Sequence, residues 1–443
     1  MKEVKVFLPD CAYIGDKVQK NVAVAVRAGV IEQVGPAAEI AARYSKEETI
    51  CLSGRVLLPG TVNVHNHSFQ SLLRGIAADR PFLEWRDRSL YKYSQRLTPD
   101  DLYIGALFAF GEMLRCGVTT VCDFFYVHND GTESDEAIIR AAKELGIRLV
   151  LARTMYDWDG APAGYVETIE QACDNTRALA HKYQDDPDVT VVPAPHSLHA
   201  ASVEMVQAGC ALAEELNTAF HIHVAEEPFE VEQVQKEHGG LTPVELLDRI
   251  GVVNERMVLV HGVWLKPEEI DLLGAKGAKL AYCPSSNMFL ADGVTDIVRM
   301  RKAGVTVGLG SDGACSNNRV SIFEEMRMVS LLQKATTHDA MCVPYADAFR
   351  MGTEWGGNLL GLPVGKIEAG CRADFVGVDL NDLSMLPLSD SGEQLLPNVV
   401  YAMQPTAVKD VFVNGEFRVR DGELVTVPIE RIAQSVRRIT QNW

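Results

Sequence analysis

The sequence predicts an α/β protein built as a (β/α)8 TIM barrel, with a small β-sandwich domain formed from both termini. Three observations predict this. Eight short apolar runs alternate with stretches of helical spacing, polar side chains able to bind metal stand where several of those runs stop, and both chain ends are rich in short strands broken by Gly and Pro.

In chain order the apolar runs are Thr61 to His65, Thr119 to Phe124, Arg148 to Ala152, Val189 to Pro193, Ala219 to His223, Met257 to His261, Lys279 to Cys283 and Val305 to Gly310. Each is too short for a buried helix and shows no alternation, as expected of a parallel strand covered on both faces. Between them, Asp135 to Leu145, Ser202 to Glu215, Pro267 to Ala275 and Thr295 to Ala303 have helical spacing and Ala, Glu, Lys and Leu content. Strand–helix alternation repeated in this way gives a parallel barrel with right-handed crossovers. Residues 1–58 offer KEVKVFLPD, NVAVAVRAGVIEQVG and ETICLSGRVLLPG, and residues 365–427 offer GKIEAGCRADFVGVDL and AVKDVFVNGEFRVRDGELV with a hairpin turn at Asn414-Gly415. The expected division is therefore a composite sandwich over 1–58 and 365–443, with a last helix, Ile429 to Gln441, docked outside, and a barrel over 59–364.

Composition narrows the function class. A chain of 443 residues, 47% hydrophobic and 23% charged, can bury a large core and exceeds one average domain. A net charge of −18 argues against nucleic acid or an acidic membrane as partner, since both need clustered Lys and Arg. The opening MKEVKVFLPDCAYIGDKVQK has no apolar signal core, and no apolar stretch approaches the ~20 residues of a membrane span. A cytoplasmic protein acting on a small-molecule substrate is expected. Ten cysteines without a CxxC pair read as buried small hydrophobes. Cys283 and Cys315 fall at strand ends, but neither has a histidine partner nearby in sequence.

The chemistry concentrates at strand ends. In VNVHNHSFQ, residues i and i+2 of a strand share a face, so His65 and His67 can approach one cation from the same side. His223 ends the run FHIHV and Glu226 follows three residues later, a metal ligand plus a nearby acid/base. Glu227, Glu230 and Glu232 read instead as a solvated acidic helix start, where acids are favoured. His221 shares the His223 face as a supporting residue. His261 ends the sixth run and Asp312 follows the eighth, where a carboxylate is costly to bury unless paired or metal-bound. Taken singly, each admits a plain structural reading: a hydrogen-bonded core histidine or a helix cap. All five on one rim point to a site.

These residues carry a resemblance. PGTVNVHNH, HIHVAEE, VLVHG and GSDGACSNN, together with the β-rich ends and GKIEAGCRADFVGVD, resemble the amidohydrolase superfamily, in particular its mononuclear-metal deaminase branch of methylthioadenosine/S-adenosylhomocysteine deaminases, formimidoylglutamate deiminases and s-triazine hydrolases. The resemblance implies His65, His67, His223 and Asp312 as metal ligands, Glu226 as proton shuttle, and His261 as the residue orienting the attacking water, with Asp312 also taking a proton. It implies one divalent metal ion, Zn2+ on His/Asp ligation with Fe2+ fitting the same set, because no lysine stands in VVPAPHSLH where two-metal members keep a bridge. The implied activity is hydrolytic deamination of a small amidine-like or N-heterocyclic substrate by metal-activated water, releasing ammonia, in a homo-oligomer (dimer or tetramer).

Substrate contacts are expected from Gln70, just past the HxH, and from Trp85, Arg86, Tyr126, Arg153, His196 and His199 in loops after the first four strands. Two resemblances diverge here. SLLRGIAADRPFLEW is similar to the adenosine-derivative deaminases, yet YKYSQRLT has no acid where those place one on the ribose diol. HSFQ, EWRD, DFFYVHND and PHSL resemble formimidoylglutamate deiminase, with Arg86 and Tyr126 at carboxylate-holding positions and His199 where that enzyme has a further arginine. The alternatives are thus an iminohydrolase on a carboxylate-bearing amidine, an s-triazine amino or alkylamino hydrolase, and a non-catalytic metal-binding scaffold.

Overall fold

The computed structural model describes residues 4–443. From the N-terminal end, strands β1 (Val4–Ile14), β2 (Lys17–Lys20), β3 (Val22–Arg27), β4 (Val30–Pro36) and β5 (Glu48–Pro59) form one layer. The eight apolar runs follow as β6 (Thr61–Asn66), β7 (Val118–Phe125), β8 (Arg148–Met155), β9 (Val189–Pro195), β10 (Phe220–Val224), β11 (Met257–His261), β12 (Lys279–Tyr282) and β13 (Thr306–Leu309). The chain then returns to the first layer as β14 (Phe375–Asp379), β15 (Val408–Val413), β16 (Glu416–Arg420) and β17 (Glu423–Leu424).

The two chain ends share one nine-stranded sheet, in the order β17-β16-β15-β14-β5-β1-β3-β4 with β2 on β1. Period-two alternation explains its two cores. Phe7, Val22, Val24 and Val26 turn to one face and meet Phe375 and Phe412, while Val4, Val6, Ala23 and Ala25 turn to the other, under the helix Ala37–Arg43. The Asn414-Gly415 turn forms as expected, both residues at positive φ (56° and 73°). The last helix, Ile429–Thr440, buries Ile432 and stacks the following Trp443 on Tyr93.

The barrel is two parallel four-stranded halves, β6-β7-β8-β9 and β10-β11-β12-β13. Residues of the candidate site close both seams. The His223 N–H donates to the His196 carbonyl at 2.9 Å between β9 and β10, and the Asp312 N–H donates to the His65 carbonyl at 3.0 Å between β13 and β6. The C-terminal rim is therefore a continuous ring of backbone, the face on which such barrels carry function.

Barrel and sandwich are pinned by a buried polar knot. Arg148, at the start of β8, reaches Asp374 (3.2 Å), the Asn414 Oδ1 (2.8 Å) and Asp188, and the Asn414 N–H donates to Asp374 at 2.8 Å. Burial pushes the Asp374 carboxyl up, and the Arg148 guanidinium opposes that rise. An Asp374→Ala variant leaves a buried guanidinium short of one counter-charge. Its unfolding free energy, from a denaturant titration, is expected to fall by about 3 kcal/mol or more; a loss below about 1 kcal/mol would show that the knot is not a staple.

Candidate metal centre and active site

Strand periodicity puts His65 and His67 on one face of the β6 end, and β10 and β13 bring His223 and Asp312 against them. His65 Nε2 lies 3.2 Å from His223 Nε2, and His67 Nε2 lies 3.2 Å from Asp312 Oδ1. The outer nitrogens decide what these rings can do. His67 Nδ1 sits 2.5 Å from the Phe124 carbonyl oxygen and His223 Nδ1 sits 2.8 Å from that of His196. A carbonyl oxygen only accepts, so each Nδ1 carries the proton and each neutral ring turns an Nε2 lone pair inward. Burial holds His65, His67 and His223 below the usual imidazole range, which keeps them neutral. Lone pairs thus face one another and a carboxylate oxygen across a buried gap. Without a positive charge between them this is repulsive, and His65 Nδ1 is also buried without a partner. The donor set fits one divalent cation, its nitrogen and oxygen atoms lying within 4.8 Å of one another in two overlapping groups, His65/His67/His223 and His65/His261/Asp312.

The backbone is bent to reach this geometry. Ala225, His261 and Asp312 have φ of 50°, 69° and 59°, so three strand ends turn through the left-handed region with residues that carry a Cβ. Each costs of order 1–3 kcal/mol and persists only where its surroundings enforce it. Around Asp312 the enforcement is visible: Ser286 Oγ donates to Oδ2 at 2.6 Å and the Gly313 N–H donates to Oδ1 at 2.6 Å. Asn63, inside VNVHNH, ties β6 to the same turn through Ser311, donating to its Oγ (2.7 Å) and accepting from its N–H (3.0 Å). Gly310 is required by space, since a Cβ there would fall 2.8 Å from that of His65. On the other side Asp123, buried and pushed up to about 6 by burial, accepts from Asn66 and from both the N–H and the hydroxyl of Ser68, fixing the turn beyond His67.

Glu226 and His261 form the second half of the site, with His261 Nε2 3.3 Å from Glu226 Oε1. Burial, then the carboxylates of Asp292 and Asp312, push the Glu226 carboxyl well above its usual range. His261 is held down to about 4, chiefly by burial, and is neutral. Glu230 departs from the expected solvated face: it is buried, accepts the Glu226 N–H at 3.1 Å, and is pushed up to about 7 by burial. His221 lies deeper in the barrel against the Cys122 thiol, at 3.9 Å.

Residues 56–418 match the Amidohydrolase family. The chain belongs to that family. It is 37% identical over 376 residues to the 5'-deoxyadenosine deaminase of Methanothermobacter thermautotrophicus, covering 84% of each chain. It is 31% identical over 421 residues to the 5-methylthioadenosine/S-adenosylhomocysteine deaminase of Syntrophobacter fumaroxidans, covering 95% of this chain and 93% of that one. Among solved structures, a zinc-bound adenosine deaminase from Xanthomonas campestris superposes with a TM-score of 0.92 at 28% identity, covering 99% and 98% of the two chains.

In this amidohydrolase the rim encloses a cavity that reaches His67, His223, Glu226, His261 and Asp312. Of the expected substrate contacts, Gln70, Trp85, Arg86, Tyr126, His196 and His199 line it. Gln70 is already engaged, donating to the Tyr126 hydroxyl at 2.9 Å and accepting from the Cys315 thiol at 3.1 Å, so it shapes the wall. Trp85 likewise spends its indole N–H on the Cys315 carbonyl. Arg153 is a correction: it does not line the cavity, and its fully buried guanidinium is taken up by Asp135 (3.0 Å) and Glu167 (2.7 Å). Cys283 and Cys315 are buried thiols pushed well above their usual range by burial, which makes them inert packing.

Tyr156, in the loop after β8, also lines the cavity, and several lining residues were not foreseen: Tyr91 and Tyr165 with Phe82, Leu90 and Leu290. Tyr165 comes from a 3-10 turn (Ala163–Tyr165) and Tyr91 from a one-turn π-helix (Asp87–Tyr91), neither with a periodic signal. Replacing His67 by Ala is expected to weaken metal binding by more than about 100-fold, beyond what outer partners alone contribute, with the far-ultraviolet circular dichroism unchanged. Metal content after dialysis checks it, and a full equivalent retained would remove His67 from the donor set.

Proposed function

We propose that the protein is a metal-dependent hydrolytic deaminase that exchanges the amino group of an adenine-like N-heterocycle for oxygen, releasing ammonia. The observation that carries this reading is a buried set of histidine and aspartate donors with a buried glutamate beside it, whose carboxyl is pushed well above its usual range by burial and by the carboxylates of Asp292 and Asp312. One divalent cation on His65, His67, His223 and Asp312, with zinc supported by the donor types and by the zinc-bound relative, supplies Lewis-acid polarisation and an acidified water.

The chain's own groups account for the protons. Glu226, held in its acid form, donates to the ring nitrogen next to the amino-bearing carbon and makes that carbon more electrophilic. As water adds to the carbon, Asp312 takes one of its protons and His261 faces the developing negative oxygen. Asp312 then passes its proton to the amino nitrogen, the C–N bond breaks, ammonia leaves, and the remaining hydroxyl proton returns to Glu226 as the carbonyl forms. Atoms and protons balance, and Glu226 ends as it began.

The cavity supports a flat, aromatic ligand, since Trp85, Tyr126, Tyr156 and Tyr165 supply its walls. Among the described residues, Glu226 and Asp312 are the only carboxylates in its lining, so a ribose diol would meet no further acid there and recognition falls on the base. A second reading has its own observation. Among the described residues, Arg86 is the only Lys or Arg of the lining and the buried Nδ1 of His199 beside it has no partner, which would suit a carboxylate-bearing amidine.

Ammonia release by metal-loaded protein across adenine derivatives, guanine, pterins, aminotriazines and formimino-acids tests the reading. Turnover of an adenine-type compound is expected. Turnover confined to formimino-acids would transfer the assignment to the second reading, and silence across the panel would contradict both. Glu226→Gln is expected to keep its metal and lose about 10²–10⁴ in kcat; wild-type turnover would remove Glu226 from the chemistry. Because the acid form is the active one and its pKa is raised, kcat should fall as pH rises through that pKa. A profile that stays flat far into the alkaline range would contradict the role.

A further inference from the structure

We infer that Asn287, clamped by Asp292, is a positioning residue that fixes the His261 ring with its proton on Nε2. Asn287 is fully buried in the short helix Pro284–Phe289, immediately beyond β12. Its side-chain nitrogen lies 2.9 Å from Asp292 Oδ2 and 3.0 Å from His261 Nδ1. The two residues are linked twice, because the Asp292 N–H also donates to the Asn287 carbonyl at 2.9 Å, across a turn in which Ala291 takes φ 63°. Trp264 holds the same turn from outside, its indole N–H on the Asp292 carbonyl at 2.9 Å.

Asp292 decides which way the amide points. A carboxylate oxygen accepts from the NH2 end, whereas the reversed amide would press its own oxygen against Oδ2. Burial, with Glu227 adding to it, pushes the Asp292 carboxyl up to about 9, but an acid protonated on Oδ1 still offers Oδ2 as acceptor. With one N–H on Asp292, the second N–H of the same group faces His261 Nδ1. That nitrogen must then accept, and a neutral imidazole that accepts at Nδ1 carries its proton on Nε2.

The rim therefore holds histidines of two kinds. His67 and His223 give their Nδ1 protons to carbonyls and present Nε2 lone pairs, as ligands do. His261 is the inverse. Although its ring lies as close to His65 and Asp312 as a ligand's would, its Nε2 is a donor and cannot bind a cation in that tautomer. Thr295 steadies the strained residue by donating from its hydroxyl to the His261 carbonyl at 2.8 Å, and Gln333 in turn donates to the Thr295 carbonyl at 2.9 Å. Resting on the deaminase reading, the Nε2–H is the group that meets the negative oxygen formed as water adds, and the opposite tautomer would turn a lone pair toward it.

Long-range 15N–1H spectra of the metal-loaded protein with 15N-labelled histidine report the tautomer directly, the His261 signals being assigned by their loss in His261→Gln. A proton on Nε2 of His261, with His67 and His223 protonated on Nδ1, is expected. A proton on Nδ1 of His261 overturns the inference, and this result needs no known substrate, so it stands or falls apart from the deaminase reading. Asn287→Leu is expected to shift His261 toward mixed tautomers and to lower kcat about 100-fold, with KM and metal content unchanged. Full kcat in folded, metal-loaded Asn287→Leu also overturns it.

Discussion

Lone pairs converging on one buried point are the constraint on which the rest of the molecule depends. The Nε2 atoms of His67 and His223 are unprotonated because their Nδ1 atoms serve backbone carbonyls, and Asp312 adds an anionic oxygen to the same space. Such an arrangement is unfavourable until a cation fills it. The fold supplies it by closing the barrel through these same residues, since the His223 and Asp312 amides make the seam hydrogen bonds. Residues whose side chains converge on the candidate metal site thus also close the barrel through their backbone.

Around this point the protein separates two electrostatic neighbourhoods a few ångströms apart. Histidines are driven neutral by burial, which leaves lone pairs free for a cation, while Glu226 is driven toward its acid form by burial and by the carboxylates around it. Groups whose environments push their proton affinities apart are what acid–base chemistry near neutral pH requires. The strained turns at Ala225, His261 and Asp312 aim these side chains inward, and at His261 and Asp312 the cost is offset by buried hydrogen bonds from Thr295, Ser286 and, through Ser311, Asn63.

What could be read in the sequence follows the physics of each signal. The eight strands were legible because a strand covered on both faces must be continuously apolar, and the donor set because histidine and aspartate at the ends of such runs need a reason to be there. Arg153 misled for the converse reason. At a strand end an arginine reads the same whether it faces ligand or buried acids, and its partners Asp135 and Glu167 are known only from the fold. Glu230 likewise passed for a solvated helix-start acid until β10 and its helix were set against one another. Tyr91, Tyr165 and Asn287 come from short turns and a short helix without a periodic signal, and their roles arise only where the chain packs.

We propose that four atoms hold one cation while His261 stands outside the coordination shell. Anomalous diffraction from crystals of the metal-loaded protein, recorded at the metal absorption edge, locates that cation. A single peak bonded to the Nε2 atoms of His65, His67 and His223 and to Asp312 is expected, with Glu226 and His261 beyond bonding distance. A peak bonded to His261, two peaks at the rim, or none there would contradict it.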